Sequence, residues 1–127
     1  MLLIGNLLAG LIAAAIIFIG LRFLLAPAIA SRDYGLAISP TPPNGFSPWL
    51  AVKGLRDIVS GLFTLLLMAN GSPRLLGEFL LVASLIALGD AAIVLRAGGS
   101  RATAFGVHGC TALFMIGTSA ILIAAAH

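Results

Sequence analysis

Charged residues are scarce in this 127-residue sequence, making up 9% of it, whereas roughly a quarter of an ordinary water-soluble domain is charged. So few charges cannot cover a soluble surface, and the 61% of hydrophobic residues is more than one small core can bury. Cysteine occurs once, at Cys110, so an internal disulfide is excluded. The same hydrophobicity excludes intrinsic disorder. The composition therefore predicts an integral membrane protein.

Basic residues exceed acidic residues, and the net charge is +3. They are spread along the whole chain and form no patch or run, so no nucleic-acid partner is predicted. The chain is rich in Ala, Gly and Leu, and Arg far outnumbers Lys. This composition is typical of a GC-rich bacterial gene, and the predicted location is a bacterial inner membrane.

Four long apolar runs are separated by helix-breaking residues. A spanning helix needs about 20 mostly apolar residues. Runs that meet this length cover about residues 2–25, 48–68, 74–95 and 101–126, in a single domain of residues 1–127. Pro27, the turn sequence at 70–73 and the Gly98-Gly99 pair mark the boundaries between them. The sequence therefore predicts an all-α fold, a four-helix transmembrane bundle.

The positions of the basic residues predict the orientation of this bundle. Arg32, Arg96 and Arg101 lie in or beside the first and third connections, whereas the second connection has only Arg74. Because positive residues are retained on the cytoplasmic side, both termini are expected to face outward. The Pro-rich connection 27–47 is then cytoplasmic.

This connection has two further features. Tyr34, Phe46 and Trp49 lie in or beside it, which is typical of an aromatic belt at the membrane interface. The stretch Ser31–Ser47 is long enough to act as a lid, with Gly35 and Gly45 as hinges, or to be a plain interfacial loop.

Ionisable residues within the spans carry the main functional signal, since each costs about 2.5 to 3.5 kcal/mol at a helix centre. At about 1.5 Å per residue, Arg56, Asp90 and His108 lie roughly 9 to 12 Å from the cytoplasmic ends of their helices. Several helices thus place ionisable groups at one depth. Glu78 lies near the opposite end, four residues from Arg74, and an ion pair between them is expected.

Helical spacing predicts which way these groups face. In the second span, polar or small residues share one stripe: Lys53, Arg56, Asp57, Ser60, Gly61 and Thr64. Small residues form a seam in the third span, at Ala83, Ala87 and Ala91, with Asp90 at its edge. A mildly polar face of the fourth span contains His108, Thr111, Met115 and Thr118. Three helices are therefore expected to direct polar faces toward one axis.

Such a set of groups is suited to proton transfer. Asp90, His108 and Asp57 are the predicted catalytic residues, since carboxylates and imidazole can exchange protons with a bound molecule. The predicted substrate-binding residues are Arg56, Lys53, Ser60 and Thr111. The expected partner is a hydrophobic small molecule or lipid, and the expected reaction is an acid-base isomerisation or cyclisation.

Other interpretations stay open at this point. The same groups could serve a proton-coupled carrier, or form an ion-pair network that fixes helix packing in an accessory or scaffold subunit. A homo-oligomer is compatible with all of these functions. No metal or cofactor is predicted, because His108 and His127 are roughly 28 Å apart along one helix.

Short motifs also resemble a known family. The Gly54-Leu55-Arg56-Asp57 run, Gly89-Asp90 and His108, in a chain of this size, resemble an uncharacterised family of small four-helix integral membrane proteins. The resemblance covers most of the chain. It implies a common site for Arg56, Asp57, Asp90 and His108, and it implies no particular activity.

Overall fold

The computed structural model describes residues 1–36 and 47–126, which contain five helices. They are α1 (Leu2–Leu25), α2 (Pro27–Asp33), α3 (Pro48–Ala69), α4 (Pro73–Arg96) and α5 (Arg101–Ala124). Prolines occupy the first turns of α2, α3 and α4. Proline suits this position because its missing N–H would have no partner there. The all-helical fold is confirmed.

The four long helices pack side by side. α1 packs chiefly against α3, and α4 packs chiefly against α5. Further contacts between α1 and α5 and between α3 and α4 join these two pairs to each other. Buried apolar side chains fill one part of the centre: Ala9, Ile12, Leu67, Leu76, Leu80, Met115 and Leu122. This core lies toward the end of the bundle where α3 and α4 are joined, and it leaves the opposite end for polar groups.

Two glycines bring α1 and α3 close together. A Cβ atom added to Gly20 would lie 2.5 Å from the carbonyl oxygen of Gly54, and one added to Gly54 would lie 2.6 Å from the carbonyl oxygen of Gly20. Neither distance leaves room for a methyl group. Small residues in this role are typical of closely packed helices in membranes.

Three helices, α1, α4 and α5, are long and apolar enough to cross a membrane. Their outward surfaces are apolar, with Phe18 and Leu85 each 63% exposed and Leu113 70% exposed, as expected of side chains that face lipid. α3 is 22 residues long but carries Lys53, Arg56 and Asp57 in its first half. With these three charges close together, α3 is not among the helices that are apolar enough to cross a membrane, so the expected fourth span is not shown.

The connection 27–47 differs from the expected loop, because residues 27–33 form α2. α1 ends at Leu25, and Pro27 begins the next helix rather than a loop. α2 ends at Asp33, and Gly35, which has a φ of 91°, forms the turn that follows, where Leu36 N–H donates to the carbonyl oxygen of Ser31 at 3.2 Å. Most of the expected lid falls on residues 37–46, which lie outside the described residues, as does His127.

The fourth predicted span is not a regular α-helix throughout. Ala104–Gly109 is π-helical, and regular α-helix follows over Cys110–Ala124. A π-helical turn bonds each N–H to the carbonyl five residues earlier, so it is wider than an α-helical turn. Ala104, His108, Ala112 and Met115 are buried along this helix, which places His108 on its inward face.

Candidate functional site

A cavity of about 360 Å³ lies among α1, α3, α4 and α5 and is bordered by the segment after α2. This volume is within the range of small-molecule sites. Its polar lining residues are Arg22, Asp33, Tyr34, Lys53, Asp57, Ser60, Thr64, Asp90, His108 and Thr111. Toward the α3–α4 end its lining is mainly apolar, with Ile16, Phe79, Leu80 and Met115. The cavity is therefore amphipathic along its length.

Most of the residues predicted from the sequence line this cavity. They are Asp57, Asp90, His108, Lys53, Ser60 and Thr111. Arg56 is exposed and is not among the lining residues. The lining face of α3 follows Lys53, Asp57, Ser60 and Thr64, and Arg56 lies roughly 60° from Lys53 around the helix axis. The structure thus brings together the two aspartates and the histidine but not Arg56.

Asp57 is paired with Lys53 one turn earlier in α3. The Nζ atom of Lys53 lies 2.8 Å from Oδ2 of Asp57, and both side chains are mostly buried. The same ammonium lies 4.9 Å from the ring centroid of Phe23 and 4.7 Å from that of Tyr34. These are cation–π distances. Lys53 is therefore held by three neighbours, and Asp57 has a cation partner.

Asp90 has a different environment from Asp57. It is half-buried in α4, at the cavity wall, one turn from Ala87. Among the described residues, no basic side chain lies within ion-pair distance of its carboxylate. A half-buried carboxylate with no cation beside it destabilises the folded protein. Its oxygens are also available to a ligand.

His108 contacts the segment after α2 through one ring nitrogen. Its Nε2 atom lies 3.1 Å from the backbone carbonyl oxygen of Tyr34. A carbonyl oxygen only accepts hydrogen bonds, so Nε2 must carry the hydrogen. Nδ1 is then the ring nitrogen left for other partners in the cavity.

Tyr34 packs into the cavity rather than lying in an aromatic belt. Its ring meets Phe23 edge-on, with centroids 5.6 Å apart, and meets His108 at 4.4 Å. Its hydroxyl oxygen is buried and has no hydrogen-bond partner within the described ranges. Burial, followed by the nearby Asp90 carboxylate, raises the pKa of Tyr34 above its ordinary value, although Asp90 does not reach hydrogen-bond geometry with the hydroxyl.

The other hydroxyls in the cavity wall bond within their own helices. Ser60 donates to the carbonyl oxygen of Arg56 at 2.8 Å, and Thr64 donates to that of Ser60 at 2.9 Å. Thr111 donates to the carbonyl oxygen of Val107 at 2.8 Å. Their hydrogens are therefore occupied, and only their oxygen lone pairs face further partners.

Two further ion pairs lie away from the cavity centre. Arg22 pairs with Asp33 at the cavity edge, which ties the end of α1 to α2. Arg74 Nε lies 2.9 Å from Glu78 Oε1, so the expected pair in α4 is present. In the part of the chain that the structure describes, no group of three or more His, Cys, Asp or Glu residues is arranged to hold a metal ion.

Tyr34 and Asp33 were not among the predicted site residues. Both lie beyond the predicted spans, so hydrophobic patterning assigns them to a connection. Their place in the site depends on α2, and Pro27 followed by the short run to Asp33 is the signal that could have indicated this helix. Gly35 is a further signal, because glycine commonly ends a helix.

The arrangement can bind an apolar molecule that has a polar group at one end. The apolar side chains near Met115 suit a hydrocarbon body, while Asp90, His108 and Tyr34 meet the polar group. Asp90 can accept a proton, and the Tyr34 hydroxyl can donate a hydrogen bond. These are the parts that a proton transfer needs.

Comparison with known proteins gives a family but no activity. No curated protein and no solved structure matches the chain. The family model described as Domain of unknown function (DUF4267) matches residues 13–122, which include α2 to α4 in full and every polar lining residue of the cavity. The chain belongs to this family of uncharacterised domains.

Proposed function

We propose that this protein is a membrane-embedded acid-base isomerase that acts on a hydrophobic small molecule with one polar end. The observation that carries the proposal is the Asp90 carboxylate, which has no cation partner in the described chain and lies in an amphipathic cavity with His108. An enclosed carboxylate of this kind is a suitable general base. Asp57 is less available because Lys53 already neutralises it.

The two titratable groups have different roles in this proposal. Asp90 removes a proton from one carbon of the bound molecule and returns it to another, so that a double bond moves and no atom is gained or lost. His108 holds the Tyr34 backbone through Nε2 and provides Nδ1 as a second atom for proton exchange in the cavity. Lys53 and Asp57 form a fixed charge pair in the wall.

The proposal places the cavity in the membrane. α3 packs along α1 and is of similar length, so we infer that it crosses the bilayer with the other three long helices. Its three ionisable residues lie in its first turns, near the end that also contains Arg32, Arg96 and Arg101. By the positive-inside rule, this end faces the cytoplasm and both termini face outward.

A carbon-acid exchange assay tests the proposed chemistry without knowledge of the natural substrate. The full-length protein in lipid nanodiscs is incubated in heavy water with a medium-chain methyl ketone, and deuterium uptake next to the carbonyl is followed by mass spectrometry. Exchange above that of protein-free nanodiscs is expected. Asp90→Asn should reduce the added exchange by about 100-fold or more, the usual size of a general-base contribution.

Glu78→Gln is the matched control, because it also neutralises one carboxylate of α4 but lies outside the cavity. Its exchange rate should equal that of the wild type. Exchange that equals the protein-free rate, or that is unchanged in Asp90→Asn, contradicts the proposal.

The carrier and scaffold functions stay alternatives to this proposal. A proton-coupled carrier would show ketone flux into liposomes that depends on a pH gradient. The helix contact at Gly20 and Gly54 and the internal Lys53–Asp57 pair favour a packing role for part of the polar set. A scaffold would give no exchange in any variant.

A further inference from the structure

We infer that Tyr34 is the group that binds the substrate's oxygen, and that the substrate of the proposed reaction is an apolar carbonyl compound. This inference rests on the proposed function and names the substrate class of the same site. It assigns a catalytic role to a residue that lies outside the long helices.

The Tyr34 hydroxyl has an unmet hydrogen bond in the described part of the chain. The Tyr34 oxygen is buried and has no partner among the described residues, whereas Ser60, Thr64 and Thr111 all donate to backbone carbonyls. A buried polar group without a partner destabilises the folded protein. A ligand with an acceptor oxygen would remove this cost, so the cavity favours such a ligand over a plain hydrocarbon.

Tyr34 is held in place from several sides. His108 donates to its carbonyl oxygen, and the rings of Phe23 and His108 pack against its ring. The Lys53 ammonium lies over the same ring, and Gly35 forms the turn that follows. A hydroxyl fixed in this way is oriented before the ligand binds, as hydrogen-bond donors at reacting oxygens need to be.

The Tyr34 hydroxyl is protonated at neutral pH. Burial and then Asp90 raise the pKa of Tyr34, so its oxygen keeps its hydrogen at neutral pH. It therefore acts as a hydrogen-bond donor and not as a base. Asp90 and Tyr34 thus supply the two complementary parts, an acceptor of the proton and a donor to an oxygen.

These parts account for an enolisation step. Asp90 removes a proton from the carbon beside the carbonyl, and the C–H electron pair forms a carbon–carbon double bond while the carbonyl pair moves onto oxygen. The Tyr34 O–H donates a hydrogen bond to this enolate oxygen. The electron pair on oxygen then re-forms the carbonyl, and the pair of the carbon–carbon double bond takes the proton back from Asp90, which restores the carboxylate. When a further double bond is conjugated with the enolate, the proton returns to the far carbon of that bond, and the double bond has moved.

The shape of the cavity limits the rest of the substrate. Beyond Ser60 and Thr64 the lining is mainly Ile16, Phe79, Leu80 and Met115. No basic group is found in that inner part among the described lining residues, so a second charged group on the ligand would have no partner there. The substrate is therefore apolar apart from its carbonyl end.

Infrared spectroscopy of a bound probe tests the inference. The probe is a medium-chain methyl ketone with an isotope-labelled carbonyl, bound to the full-length protein in nanodiscs. A hydrogen bond from Tyr34 should lower the carbonyl stretching frequency below that of the ketone in protein-free nanodiscs. In Tyr34→Phe the shifted band should disappear, and ketone affinity should fall by about threefold to tenfold, as for one neutral hydrogen bond. Affinity for the alkane of equal length should not fall.

Asp90→Asn is the comparison variant within the same cavity. It should lose deuterium exchange but keep the shifted band, because it retains the Tyr34 hydroxyl. An unshifted band in the wild type, or an equal shift in Tyr34→Phe, overturns the inference even if exchange at Asp90 is observed. A shifted band without any exchange supports Tyr34 as the oxygen-binding group and contradicts the isomerase proposal. The infrared band therefore tests the role of Tyr34, and deuterium exchange separately tests the isomerase proposal.

Discussion

The Nε2 atom of His108 lies 3.1 Å from the backbone carbonyl oxygen of Tyr34, 74 residues earlier in the chain. This contact joins the π-helical part of α5 to the turn that follows α2. It also brings the aromatic ring of Tyr34 over the cavity that contains Asp90. One hydrogen bond therefore connects His108, a predicted catalytic residue, to a segment outside the long helices.

His108→Ala should lower the stability of the protein by about 1 to 3 kcal/mol, because it leaves the partly buried carbonyl of Tyr34 without this donor. His108→Gln should lose less, since its side-chain amide can still donate. Thermal unfolding of both variants in the same detergent measures the difference. Equal unfolding temperatures for the two variants would show that the hydrogen bond contributes nothing to stability.

Tyr34 should resist ionisation in the folded protein. Free tyrosine titrates near pH 10, and burial, then Asp90, raises the pKa of Tyr34 above this value. The chain has a single tyrosine, so tyrosinate absorbance reports on Tyr34 alone. We expect little tyrosinate at pH values where the unfolded chain has ionised.

The raised pKa of Tyr34 makes the free energy of unfolding depend on pH. The unfolded chain loses the proton at lower pH than the folded protein, so the free energy of unfolding should fall as pH rises above about 10. Asp90→Asn should lower the pKa of Tyr34, because it removes a neighbouring negative charge. Tyrosinate that appears at the ordinary pH in the folded wild type would contradict the described burial.

Gly20→Ala should weaken the packing of α1 against α3. The added methyl group would lie 2.5 Å from the carbonyl oxygen of Gly54, and overpacking of this kind costs about 1 to 3 kcal/mol. Gly117→Ala is the control, since no heavy atom lies within 4 Å of the added Cβ. A drop in unfolding temperature for Gly20→Ala but not for Gly117→Ala is expected, and equal behaviour would argue against the close helix contact.

The sequence was sufficient for the four long helices and for part of the site. Prolines and glycines mark the helix ends, and a spacing of three or four residues identifies the faces with Asp57, Asp90 and His108. These signals are local, because the position of a side chain around a helix follows from its number. Helical spacing also placed Arg56 on the polar face of α3, and this prediction was too broad. Asp57 and Ser60 line the cavity, but Arg56 does not.

The rest of the site depends on contacts between distant segments. Tyr34 and Asp33 reach the cavity because α2 turns back toward it, which no periodicity in residues 27–36 indicates. The π-helical turn before Cys110 likewise has no clear signal in its sequence. Hydrophobic patterning describes single helices, so it cannot show which connection folds over the space between them.

Photoaffinity labelling tests the central claim most directly, namely that one cavity binds an apolar carbonyl compound with its oxygen at Tyr34, the carbon beside the carbonyl at Asp90 and its chain toward Met115. The probe is a methyl ketone with a photoreactive diazirine at the far end of its chain. Labelled residues are then located by mass spectrometry. The account predicts labels at Phe79, Leu80 or Met115 that the unlabelled ketone competes away. Labels confined to outward residues such as Leu85 and Leu113, without competition, would contradict it.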